Sequence, residues 1–143
     1  MIRHMFHIWQ HEWIVKTYID TTADDADEII DELHSIGADM DTMRLAYRNL
    51  RGGLLNTGLT YTSPYNRETV MVVGRTTNAE EFFNSLVHEM CHAKTHICDY
   101  LGIDLKSEQA SYFIGGLARD IFPHVKHFLC DCCHRKIEGH SEH

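Results

Sequence analysis

Asn78-Ala79-Glu80-Glu81-Phe82-Phe83-Asn84-Ser85-Leu86-Val87-His88-Glu89-Met90-Cys91-His92 decides how this chain is read. The spacing predicts an amphipathic helix. Asn78 is placed to cap it, and Glu80 and Glu81 suit the positive end of the helix dipole. The helix runs on to about Leu101, where Gly102 supplies a stop. His88 and His92 are four residues apart, so they project from one face, one turn apart. Two imidazoles so placed can grip one metal ion. Glu89, beside the first of them, is close enough to draw a proton from a metal-activated water.

Outward from this helix the chain alternates short strands and helices. Glu12 to Asp20 is rich in β-branched and aromatic residues and predicts a strand. Thr21-Thr22 leads into an acidic helix from about Asp24 to Ser35, with Ile29, Ile30 and Leu33 on its buried stripe and Gly37 at its end. The run Asp24-Asp25-Ala26-Asp27-Glu28 reads as a helix N-terminus with favourable charge. Met43, Ala46, Tyr47 and Leu50 favour a helix over Met40 to Leu50, which Arg51-Gly52-Gly53 breaks. Asn56 to Thr62 and Thr69 to Gly74 predict a hairpin around the turn residues Ser63 to Glu68. Asp104 is a candidate cap for a closing helix from near Leu105 into the 120s, which Pro123 kinks or ends. The expected class is α+β: a small domain with a short, mostly antiparallel sheet, a hairpin, the HExxH helix and a closing helix. One domain is expected over residues 1–138, with 139–143 as a flexible tail.

The bulk numbers narrow the function classes. A chain of 143 residues suits one domain with a modest core. A net charge of −8, with no Lys/Arg cluster, argues against nucleic acid as a partner. No run is apolar enough to span a membrane, and Met1 to His7 lacks a signal-peptide hydrophobic region. Five cysteines, three of them crowded at Cys130, Cys132 and Cys133, are not a secreted disulfide framework, so a reducing, cytoplasmic compartment is expected.

A catalytic zinc usually has three protein ligands and a water. The candidates for the third are His96, Cys98, Asp99, Asp104 and Glu108. His96 lies about 12 Å along the axis from His88, at ~1.5 Å per residue, so one ion on a straight helix cannot reach His88, His92 and His96 together. Cys98 is ten residues after His88, with no glycine after His92 to turn the chain in time. Glu108 is sixteen residues after His92, just past Gly102. A helical hairpin would carry it back across the metal helix. Gly115 and Gly116 are expected to let the two backbones approach, with Ala110, Phe113, Ile114 and Leu117 as the packing stripe. The alternative role for Glu108 is a helix N-terminal carboxylate that only complements the dipole.

With these residues in view, the chain resembles the zincin metallopeptidases. His88-Glu89-xx-His92 followed by Glu108 is similar to the gluzincin arrangement, with a glutamate on the next helix as third ligand. His-Glu-Met-Cys-His-Ala resembles the SprT-like proteases, and Glu108-Gln109-Ala110-Ser111-Tyr112-Phe113 resembles the glutamate helix of ImmA/IrrE-type and small phage or prophage zinc peptidases. The resemblance covers about residues 56 to 120. It implies Zn2+ held by His88, His92 and Glu108, with Glu89 as general base. It also implies that Thr69 to Val73 is the sheet edge beside the cleft, to which an extended peptide adds as a strand. Tyr112, one turn beyond Glu108, is either an oxyanion donor or a core tyrosine on a packing face.

The leading expectation is a zinc-dependent peptidase acting on a protein or peptide. The alternative is a catalytically silent zincin-fold protein that binds metal or a partner; the presence of Glu89 counts against it, since a pure binding site has no need of the base. The oligomeric state is not encoded in any feature of the sequence. Cys130-Asp131-Cys132-Cys133-His134 is cramped for a structural zinc site, and free thiols are expected there. His4, His7 and His11 fall at helical spacing and read as surface histidines. Cys91 is expected to be a buried thiol pointing away from the two histidines.

Overall fold

The computed structural model describes residues 1–133. Its elements are β1 (Ile2–Ile8), β2 (Trp13–Thr21), α1 (Ala26–Ser35), α2 (Met40–Arg51), β3 (Gly58–Ser63), β4 (Glu68–Gly74), α3 (Ala79–Leu101) and α4 (Glu108–Val125). The class is α+β, as expected. The predicted tail at 139–143 lies outside the described residues.

The four strands form one sheet in the order β1-β2-β4-β3. It is mixed rather than mostly antiparallel. β1 pairs antiparallel with β2, and β3 antiparallel with β4, but β2 and β4 run parallel. The reason lies in β4. Val70, Met71, Val72 and Val73 are apolar on both faces, and all are buried. Such a run suits an inner strand covered by helices on both sides. β4 therefore enters the middle of the sheet, and the chain between β2 and β4, containing α1, α2 and β3, forms the long connection that parallel pairing requires. The edge beside α3 is consequently β3, and the expected edge at Thr69 to Val73 is corrected.

Side-chain alternation splits the core into two layers. Trp13, Val15 and Ile19 of β2 with Met71 and Val73 of β4 pack against Phe82, Leu86, Met90 and Ile97 of α3 and Leu117 and Ile121 of α4. On the opposite face Tyr18, Val70 and Val72 pack against Ile29 and Leu33 of α1 and Ala46 of α2. Met1 to Ile8 was not expected as a strand. Along β1 His4 shares a face with Phe6 and His7 lies on the opposite face with Met5, so helical spacing is the wrong frame for them. His4 Nε2 instead meets Asp120 Oδ2 of α4 at 2.7 Å.

The helix ends follow the capping chemistry. Asn78 accepts from the Glu81 backbone N–H at 2.8 Å, and Gly102 terminates α3 with φ +71°. Thr22 and Asp25 form a reciprocal capping box before α1. α4 is capped by Ser107 rather than Asp104; Asp104 instead accepts from the Ser107 hydroxyl through its carbonyl at 2.6 Å. Pro123 sits in the last turn of α4, which ends two residues later at Val125. Gly115 has open space beside it and Gly116 faces the Phe6 ring of β1, so these glycines do not mark a close helix–helix approach. No helix among the described residues is long and apolar enough to cross a membrane. Asn78→Ala is expected to lower stability by about 1 kcal/mol through the loss of the α3 cap, read as a fall in urea midpoint at unchanged slope.

Candidate metal centre

The HExxH residues lie in the middle of α3, on the flank that faces β3. His88 and His92 are exposed, and their Nε2 atoms are 3.1 Å apart. Their rings stand nearly perpendicular, with centroids 4.7 Å apart. Two nitrogens bound at 2.0–2.1 Å to a tetrahedral zinc would be about 3.3 Å apart, so the pair fits one ion.

Glu89 lies about 100° round the helix from His88, on the side that meets β3, and is only 5 % exposed. The edge strand was made to receive it. Because side chains alternate along β3, Gly58, Thr60 and Thr62 share the face that meets α3. The Thr60 hydroxyl lies 2.9 Å from Glu89 Oε1, to which it donates. At Gly58 a Cβ would fall 2.6 Å from Glu89 Oε2 and 2.7 Å from the Val72 carbonyl, so only glycine leaves room for the carboxylate.

One turn further on, Thr62 Oγ1 lies 3.0 Å from His96 Nδ1. Thr62 is also 3.0 Å from Thr69 Oγ1, which accepts from Trp13 Nε1–H at 3.0 Å. An indole N–H only donates, and this favours one direction for the chain. Thr69 donates to Thr62, and Thr62 donates to His96 Nδ1. The reverse order would leave the buried Thr69 proton without an acceptor in this chain. In that order His96 Nδ1 accepts, and the Nε2–H tautomer would present a donor beside His92. Burial, and then the neighbouring His92, lower the His96 pKa, which favours the neutral ring. His96 does not join His88 and His92 in a group of ligand atoms within 4.8 Å of one another.

The other candidates separate as follows. Cys98 is fully buried, and burial pushes its thiol pKa up. Asp99 and Asp104 are exposed, and Asp104 Oδ1 accepts from the Lys106 backbone N–H. Glu108 is exposed in the first turn of α4. Among the described residues no third His, Cys, Asp or Glu joins His88 and His92 in a group whose ligand atoms all lie within 4.8 Å of one another. Tyr112 is 75 % exposed, so it is not a core residue. It lines a cavity of about 740 Å³ with Phe6, His7, Trp9, Gln109 and Phe113, and neither His88 nor His92 borders that cavity. Cys91 is exposed rather than buried. At ~100° per residue it lies only about 60° round the helix from His88, on the outer surface.

Gly58, Thr60 and Thr62 were not singled out from sequence. The available signal was an inverted strand: the α3-facing positions of β3 are glycine and threonine, whereas Leu59 and Tyr61 pack on the α1/α2 side. Polar residues on a strand face that meets a helix need hydrogen-bond partners there, and here Glu89 and His96 supply them.

A second cluster lies after α4. The sulfurs of Cys130, Cys132 and Cys133 all fall within 4.8 Å of one another, a group that could hold a metal ion. The Cys133 backbone N–H, 3.4 Å from the Cys130 sulfur, is the main cause that lowers the Cys130 pKa to about 7. Cys133, hydrogen-bonded to Cys130, is pushed up to about 11.

No protein-family model matches this chain, and neither a curated protein nor a solved structure matches it.

Proposed function

We propose that this protein is a zinc-dependent peptidase that hydrolyses a peptide bond of a protein or peptide substrate. The observation that carries the reading is the pairing of His88 and His92, with Nε2 atoms 3.1 Å apart, beside a buried Glu89 carboxylate held against an edge strand. His88 and His92 would hold the zinc. Sequence spacing proposes Glu108 as the third ligand, but its carboxylate is not grouped with the two histidines, so it would have to move to reach an ion they hold. When bound there, zinc supplies Lewis acidity and lowers the pKa of a coordinated water towards ~7.

The chain's own residues supply the rest. Glu89 takes the proton of the attacking water and returns it to the leaving amine. Thr60 fixes one carboxylate oxygen, so the base needs little reorientation to act. The outer edge of β3 offers main-chain N–H and C=O groups to an extended peptide, laying the scissile bond along the histidine face. His96 Nε2–H lies one turn from His92 on that face and can donate to substrate. A reducing, cytoplasmic setting is supported by the five cysteines, all of them free.

Metal content by plasma mass spectrometry tests the reading, on protein prepared without metal-affinity resin. Serine at positions 130, 132 and 133 confines the count to the HExxH site. About one zinc per chain is expected, as for a three-ligand catalytic site, with a large loss in His92→Ala and in Glu108→Ala. Full retention in Glu108→Ala would remove that residue as a ligand. No zinc after reconstitution would sink the peptidase reading. Zinc without hydrolysis of any peptide would favour the silent metal-binding alternative.

A further inference from the structure

We propose that Cys130, Cys132 and Cys133 form a second metal site that takes a thiophilic d10 ion such as Zn(II), Cd(II) or Cu(I). The site stands independently of the HExxH reading, since it shares no residue with it. Three thiolates are a soft donor set, and soft d10 ions are what such a set selects.

The geometry is already close to that of a bound site. Sulfurs ~2.3 Å from a common tetrahedral ion stand about 3.8 Å apart. The Cys130–Cys132 and Cys132–Cys133 separations are 3.3 and 4.0 Å. The Cys130–Cys133 separation is within 4.8 Å, so shifts of no more than about an ångström would admit the ion.

The turn that carries the thiols is anchored at both ends of its approach. Phe128, just before it, stacks on Phe82 of α3 with centroids 4.8 Å apart. Asp131, inside it, accepts from the backbone N–H of Ala79, the first residue of α3, at 3.2 Å. These contacts hold the sulfurs together before metal arrives, so little conformational freedom is lost on binding. They also set a consequence. Three thiolates around one d10 ion leave net negative charge beside the start of α3. The Cys133 N–H, directed at the Cys130 sulfur, and the positive end of the α3 dipole offset that charge. An ion at this site would rigidify the turn whose Asp131 accepts from the first residue of the helix that carries the HExxH residues.

Titration of reduced His88→Ala/His92→Ala protein with Cd(II) tests the site without the first centre. Thiolate-to-cadmium charge-transfer absorbance is expected to saturate at one ion per chain. The thermal midpoint should rise with it. Cys132→Ser should weaken binding at least about ten-fold and remove about a third of the absorbance per ion, as expected when one of three ligands is lost. Cys91→Ser should leave both unchanged. The chain should stay the same size by gel filtration with and without cadmium. No charge-transfer absorbance at one equivalent would overturn the proposal. So would an unchanged titration in Cys132→Ser, or saturation only as cadmium-linked dimers.

Discussion

Glu89→Gln is expected to keep the fold and the metal yet lose about 10²–10⁴-fold in hydrolysis, the contribution typical of a positioned general base. The amide has the shape of the carboxylate, so it fills the space over Gly58 without a new clash. Its oxygen can still accept from Thr60 Oγ1, now 2.9 Å from Oε1. Since this polar partner is retained, no buried hydroxyl is orphaned, and stability should change little. What the amide cannot do is accept a proton from water. Circular dichroism, zinc content and turnover of one peptide substrate, measured on the same preparation, separate these effects. Undiminished turnover would remove Glu89 from the mechanism. Loss of zinc together with turnover would show that the substitution damaged the site instead of the chemistry.

How much of this was legible in the sequence depended on whether the signal was local. The α3 helix was readable because its cap, its acidic first turn, its apolar spacing and its glycine stop all lie within Asn78–Gly102. Four residues of separation were enough to bring His88 and His92 together, since helix geometry alone does so. The hairpin was readable for the same reason. Strand order was not. β4 is inner and β3 is the edge because the sheet must bury the doubly apolar Val70 to Val73 run, a choice made by the whole core and by no single segment. β1 was missed because its histidines suggested a helical period, whereas its pairing with β2 over Ile2 to Ile8 comes from tertiary contact. The partners of Glu89 and His96 lie about thirty residues upstream, at Thr60 and Thr62. Their approach follows from the β3 register, which the HExxH string does not contain. The three cysteines looked too cramped for a metal, yet the turn at Cys130 folds their sulfurs together. Sequence spacing describes how far apart ligands are along the chain, and a tight turn can cancel that distance.

Gly58→Ala is expected to cost both activity and stability, and it tests whether the edge strand is built around the base. A Cβ there would lie 2.6 Å from Glu89 Oε2, 2.8 Å from Glu89 Cγ and 2.7 Å from the Val72 carbonyl oxygen. The carbonyl belongs to the strand next to Gly58, whose register partner is Val73. Relieving that contact disturbs the β3–β4 pairing, and the Glu89 side chain must move as well. Overpacking of this kind typically costs about 1–3 kcal/mol, read here as a fall in denaturant midpoint. Turnover should fall towards that of Glu89→Gln, because a displaced carboxylate no longer faces the attacking water. Gly115→Ala, on the open side of α4, is the control: nothing lies within 4 Å of its added Cβ. It should be neutral or stabilising by about 0.5–1 kcal/mol, the helix-propensity gain. The double variant Gly58→Ala/Glu89→Gln carries the sharper distinction. If both substitutions act through one carboxylate, its turnover should be no lower than that of Glu89→Gln alone, a strongly non-additive result. Its stability should stay as low as that of Gly58→Ala, since glutamine meets the same methyl group. Additive losses of turnover would mean that Gly58 serves substrate binding along β3 and not the seating of Glu89.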